Sequence, residues 1–139
     1  MAEVGFVSGL LTLAVFAFDT SKSLYEAVSS FKSQRKTIKD LQTDLSSLIA
    51  VLGSIRKQLE APQEAARLEP LRQPLESCLT TCQEMREMLD ICTRHSAEGQ
   101  DSVRTWLSMR YREKSFEDMK QRLASYKSTL CIAFGSINM

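Results

Sequence analysis

Along residues 36–60 the apolar side chains Ile38, Leu41, Leu45, Leu48, Ile49, Leu52, Ile55 and Leu59 recur at steps of three and four, while Lys39 and Asp44 fall outside that stripe. A period near 3.6 predicts a helix with one face turned to a core. The rhythm returns in Leu75, Cys78, Leu79, Cys82, Met85, Leu89 and Cys92, and again in Phe116, Met119, Leu123, Tyr126, Leu130, Phe134 and Ile137. Residues 4–18 differ: this stretch carries no charge, and Phe6, Val7, Leu10, Leu11, Leu13, Val15, Phe16 and Phe18 leave it no polar face. Because an apolar rhythm continues through Leu24, Tyr25, Val28 and Phe31, the stretch reads as the first half of one long helix. A helix that is oily all round belongs at the centre of a bundle or in lipid.

Breaks follow from length and from local punctuation. An uninterrupted helix from Val4 to Glu60 would run about 85 Å, too long for a compact domain of this size, so a break is expected near Ser29 to Arg35. Thr37 with Asp40 offers a capping-box-like start one turn later. Ala61-Pro62 through Arg67 reads as a linker, and Pro70 and Pro74 predict a short turn over 69–73 before the third helix. His95-Ser96-Ala97-Glu98-Gly99 ends that helix, with Gly99 as the stop. Asp101 or Ser102 is expected to cap a short segment carrying Val103, Trp106, Leu107 and Tyr111, and Ser115 with Asp118 to cap the last helix. The pattern predicts an all-α fold over a single domain, residues 1–139. Its form is an antiparallel helical bundle of four long helices plus one short helix, with the apolar N-terminal helix at its centre.

Composition adds limits. A chain of 139 residues, 43% hydrophobic and 25% charged, suits one globular domain rather than a disordered segment. No Lys or Arg precedes the apolar run and Glu3 has the wrong sign for a secretory signal, although Val15-Phe16-Ala17 mimics a cleavage site. As a membrane span the run is short, covering roughly 22 Å where the hydrocarbon core needs about 30 Å. The net charge of +1 conceals an alternation, acidic over residues 1–31 and 61–99 and basic over 32–60 and 100–139, so no concentrated basic face points to nucleic acid.

The chemistry-bearing residues are few. Cys78, Cys82, Cys92 and Cys131 read as core filler in a reduced, intracellular compartment, and with the lone His95 they lack zinc-site spacing. No nucleophile accompanies His95 and no glycine-rich phosphate loop occurs, so no catalytic residue, metal or cofactor is assigned. Gly5 and Gly9 have the small-xxx-small spacing that lets membrane helices approach closely. Arg104, Arg110, Arg112 and Lys114 surround Trp106 and Tyr111, a basic stretch with interfacial aromatics that suits anionic lipid, or a solvated face whose arginines pair with Glu113, Glu117 and Asp118.

The segments "GLLTLAVFAFDTSKSLYEAVSSFK", "LQTDLSSLIAVL", "LESCLTTC" and "YREKSFEDMKQRLASYKSTLCIAF" together resemble the HeLo-like amino-terminal domain of fungal STAND receptors and their cell-death effectors. That family is also called the azaphilone-pigment-cluster protein L amino-terminal domain. The last block, with Lys120, Leu123, Tyr126, Lys127, Thr129 and Leu130, is its most specific part. The resemblance implies a non-enzymatic fungal signalling domain that stays cytoplasmic until a cognate STAND or NLR-like receptor, or an amyloid-motif partner, clusters it. It would then self-associate, relocate to the inner face of the plasma membrane and insert residues near 4–18 among the lipids, forming pores in programmed cell death, heterokaryon incompatibility or innate immunity.

Burial of the large side chains of residues 4–18 in a core or in lipid yields a similar gain, about 1.5–3 kcal/mol each relative to water. On that reasoning the two locations nearly balance, and Phe16→Asp is expected to bury an unpaired charge. The alternatives are a protein-interaction and oligomerisation module at the N-terminus of a STAND receptor, with no membrane activity, and a purely structural or regulatory bundle attached to metabolic-cluster proteins.

Overall fold

The computed structural model describes residues 2–30, 36–95 and 110–138, and among them every long element is helical. Helices α1 (Ala2–Ser29), α2 (Lys36–Leu59), α3 (Arg72–His95) and α4 (Arg110–Ile137) are joined, between α2 and α3, by 3-10 turns at Pro62–Glu64 and Glu69–Leu71. Pro70 sits in the second of these turns and Pro74 in the first turn of α3, where a missing N–H costs nothing. The predicted turn at 69–73 is therefore present, shorter by two residues.

Each helix buries a seam spaced alternately by three and four. In α2 it is Ile38, Leu41, Leu45, Leu48, Leu52, Ile55 and Leu59, with Ile49 half-buried; in α3 it is Leu75, Cys78, Cys82, Met85 and Leu89. In α4 the seam is Phe116, Met119, Leu123 and Leu130, with Tyr126, Phe134 and Ile137 packed against it. Such 3-4 spacing suits helices that lie side by side at shallow angles. Ala65, Leu68 and Leu71 turn inward from the linker and close one end of the core, which explains why an otherwise polar connection folds against the helices.

Contacts give the arrangement. Helix α1 lies against α2 and α3, and α4 lies against the same two helices. Ser29 meets Gln42 and Phe18 meets Gly53, so α1 and α2 are antiparallel; Glu84 meets Arg122, and Tyr126 shares a groove with Ser77 and Thr80, as expected of an antiparallel α3 and α4. Ser21 with Cys82 and Ser23 with Arg86 run in the same sense, as do Asp40 with Lys120 and Asp44 with Lys127. The pairs α1/α3 and α2/α4 are thus parallel, and the linker after α2 crosses to the far side of the core.

Two expectations need correction. Helix α1 is a wall of the molecule rather than its centre, because Gly9, Thr12, Phe16, Asp19, Lys22 and Glu26 are exposed along one side. Ser115 is not a helix start: α4 is already helical from Arg110, since the Arg110–Ser115 stretch contains neither glycine nor proline to interrupt it. The short helix expected near 101–111 lies mostly outside the described residues.

Candidate functional site

The sequence placed the functional weight on α1. The buried seam of that helix is Leu10, Ala14, Ala17, Ser21, Leu24 and Val28, and only Leu10 among these belongs to the expected insertion set. Leu11, Leu13 and Phe18 are half-buried and pack against the core, Val15 is half-buried, and Phe16 is 55% exposed. The reason is geometric. A seam of alanines and a serine lets α1 sit close to α2 and α3, which leaves the bulky Phe16 on the outer ridge. Phe16→Asp therefore places its charge in water, not in the core. Around Gly9 nothing lies within 4 Å of where a Cβ would stand, so this glycine mediates no close approach among the described residues. Gly5 lies within α1, but its surroundings and the side chains of Phe6, Val7, Arg110, Arg112 and Lys114 are outside what the structure describes, as are Arg104 and Trp106 altogether.

Two grooves flank the ridge. On the α2 side, Phe18 lies against Gly53, its Cε1 3.3 Å from the position a Cβ would take. The Arg56 guanidinium stands 5.1 Å and the Lys22 ammonium 5.6 Å from the centroid of the Phe18 ring, both within cation–π range. Arg56, Lys57 and Glu60 line the rest of this groove. On the α3 side the lining is Asp19, Thr20, Ser23, Gln83, Arg86, Glu87 and Asp90. There Arg86 donates to Ser23 Oγ at 3.1 Å and to Asp90 Oδ1 at 2.6 Å, which leaves Asp19 and Glu87 without an ion-pair partner among the described residues. Periodicity alone did not reveal either groove, because each is made by side chains from two helices.

Beneath the ridge, Ser21 and Cys82 are buried with Oγ and Sγ 3.5 Å apart. Cys78 lies one turn before Cys82; the Cys82 sulfur beside it and its own burial push the Cys78 thiol far above the usual thiol range. Both are free thiols and act as core side chains, as their stripe suggested, whereas Cys131 is exposed and is not the core filler it was expected to be, and the side chain of Cys92 lies outside the described residues. No group of three or more metal-ligating side chains occurs among the described residues.

Over residues 1–139 the chain matches the family described as pigment biosynthesis cluster protein PigL N-terminal, a domain of HeLo-like type. The chain belongs to this family. No curated protein and no solved structure matches it. For this PigL N-terminal domain the expected move to the plasma membrane is overturned: among the described residues no helix is long and apolar enough to cross a membrane. The balance between core and lipid fails as well. Of the large side chains that α1 buries among the described residues, Leu10, Leu24 and Val28, the last two lie beyond the apolar run, next to Lys22 and Glu26.

Proposed function

We propose that this PigL N-terminal domain is a non-enzymatic interaction module whose four helices form a bundle and whose activity is self-association through the outer face of α1. The observation that carries this reading is Phe16. A phenylalanine 55% exposed on the ridge of a helix, beside small residues Gly9 and Thr12, offers an anchor of the type that interfaces favour. The seam beneath it supports the same reading. Ser21 and the alanines gain little from lipid, whereas they let α1 pack closely where it is, so α1 serves better as a fixed wall presenting a surface than as a detachable probe. Any receptor or amyloid-motif partner would then act by bringing copies together, and a cell-death output would run through assembly.

Sedimentation velocity from micromolar to near-millimolar protein tests this. The wild type should sediment faster as concentration rises, and Phe16→Ser should weaken that dependence while leaving thermal unfolding unchanged. A wild type that stays monomeric throughout overturns the reading.

A further inference from the structure

Inside the otherwise apolar junction of α1 and α3, Ser21, Cys78 and Cys82 gather a hydroxyl and two sulfurs. Ser21 and Thr81 are the buried polar residues among those described. Hydroxyls elsewhere bond to their own helix, Thr43 donating to the Lys39 carbonyl and Ser54 to the Ala50 carbonyl. Ser21 reaches across to α3 instead, its Oγ 3.5 Å from Cys82 Sγ. The two cysteines are four residues apart on α3 and fully buried, so they leave the same face on successive turns. Met85, fully buried as well, continues that face one turn further. Such a pair does not close a disulfide in place. Cβ atoms four apart on a helix are roughly 5–6 Å from each other, whereas a disulfide needs about 3.5–4.5 Å, so α3 would have to unwind. An ion set between the two sulfurs needs no such approach.

We propose that Cys78 and Cys82 together bind copper(I), a soft monovalent cation, with the Met85 thioether as a third donor and the Ser21 hydroxyl bonded to the Cys82 sulfur. The donor set selects the ion. Thiolate and thioether sulfur are the soft ligands that copper(I) favours, and two or three of them satisfy it. A structural zinc ion takes four ligands, and among the described residues no third cysteine, histidine or carboxylate joins the pair. Uptake exchanges protons for the cation without a change of oxidation state. The ion displaces one proton from each thiol, two Cu–S bonds form, and the site is left with a net charge of −1. Hydrogen bonds from Cys78 and then from Ser21 draw the Cys82 thiol below the usual thiol range, so Cys82 loses its proton first and Cys78 yields its own only to the metal. The Ser21 hydroxyl donates to the resulting Cys82 thiolate, a charge-assisted bond that offsets the negative charge held inside a dry junction. Copper bound in this way belongs to the folded state alone and therefore stabilises it.

Anaerobic titration with copper(I), buffered by the chromophoric chelator bathocuproine disulfonate, tests this in a Cys92→Ser/Cys131→Ser parent, which keeps only the two buried thiols. One copper should bind per chain, with an ultraviolet sulfur-to-copper charge-transfer band and an X-ray absorption spectrum of two or three sulfur ligands, and loading should raise the melting temperature. Cys78→Ala and Cys82→Ala should each abolish binding at a chelator concentration that the parent withstands. Ser21→Ala should weaken it about 10–100-fold, the usual effect of removing a group that supports a ligand, and Met85→Leu, which keeps the volume, should weaken it without abolishing it. Circular dichroism shows which variants fold without metal; Ser21→Ala and Met85→Leu keep both thiols and decide the matter where a cysteine variant does not fold. A parent that takes up no copper, that takes it up only with loss of helical signal or a lower melting temperature, or that binds no better than its folded cysteine variants overturns the site. Equal affinity in Met85→Leu overturns the third ligand, and displacement of copper by equimolar zinc(II) overturns the low-coordinate assignment.

Discussion

At the scale of single residues, α1 separates hydrophobicity from burial. Leu10 is fully buried and Phe16 is not. Leu10→Ala should cost about 2–5 kcal/mol in urea unfolding, as large-to-small core changes do, whereas Phe16→Asp should stay within about 0.5 kcal/mol, as surface changes do; a large loss for Phe16→Asp would put that ring back in the core. Gly53 is the complementary case. A Cβ there meets the edge of Phe18 at 3.3 Å, but Phe18 is only half-buried and its ring has room to move outward. Gly53→Ala should be close to neutral, since the gain of about 1 kcal/mol in helix propensity offsets the shift, while Gly53→Leu should destabilise by about 1–3 kcal/mol through overpacking. The thiols divide in the same way. In a Cys92→Ser background a maleimide should modify Cys131 quickly and reach Cys78 and Cys82 only on unfolding, because Cys78 is buried with its thiol held protonated and the thiolate is the reacting form.

At the scale of elements, helices α2, α3 and α4 were legible because their outward faces are charged, so that polarity marks the side away from the core. The α2 stripe was recovered whole, apart from Ile49 being half-buried. Helix α1 was legible as a helix but not in its rotation. With Thr12 the one polar residue from Gly9 to Phe18, composition carried no record of which side faced out, and the seam of Ala14, Ala17 and Ser21 was chosen by closeness of approach, a tertiary property. The candidate grooves were illegible for a related reason: Phe18 and Arg56 are far apart in sequence and meet only when α1 and α2 pair.

An ion pair within the first turn of α2, Lys36 with Asp40, adds a pH dependence. The Lys36 hydrogen bond to Asp40, at 3.0 Å, and the further charge of Lys120 hold the Asp40 carboxyl below the ordinary range. A carboxyl whose pKa is lower folded than unfolded stabilises the fold above its unfolded value, about 3.9, and loses that contribution as pH falls through the folded value. Lys36→Met should therefore make the melting temperature fall less steeply below about pH 4; an unchanged acid limb would show that Asp40 titrates alike in both states.

At the scale of the whole molecule, the question is whether α1 can leave the other helices without unfolding them. Leu10, Leu24 and Val28 are fully buried, and exposing such side chains costs about 1.5–3 kcal/mol each. Their sum is of the same order as the entire stability of a domain this size, about 5–15 kcal/mol. The seams of α2 and α3 against which they pack would be exposed at the same time. Release of α1 and global unfolding should therefore be one event rather than two. Native-state hydrogen exchange measures this directly, since a locally detachable element exchanges with a lower opening free energy than the core. The amides from Ala14 to Val28 should exchange with the same opening free energy, and the same dependence on denaturant, as those from Leu41 to Ile55. Adding anionic vesicles should not change that equality, because no helix described here is long and apolar enough to cross a bilayer, and the ridge that faces outward carries Asp19 and Glu26 beyond Phe16. Faster exchange confined to α1, in solution or on vesicles, would mean that the helix detaches, and the surface it presents would then belong to a transient state rather than to the folded one.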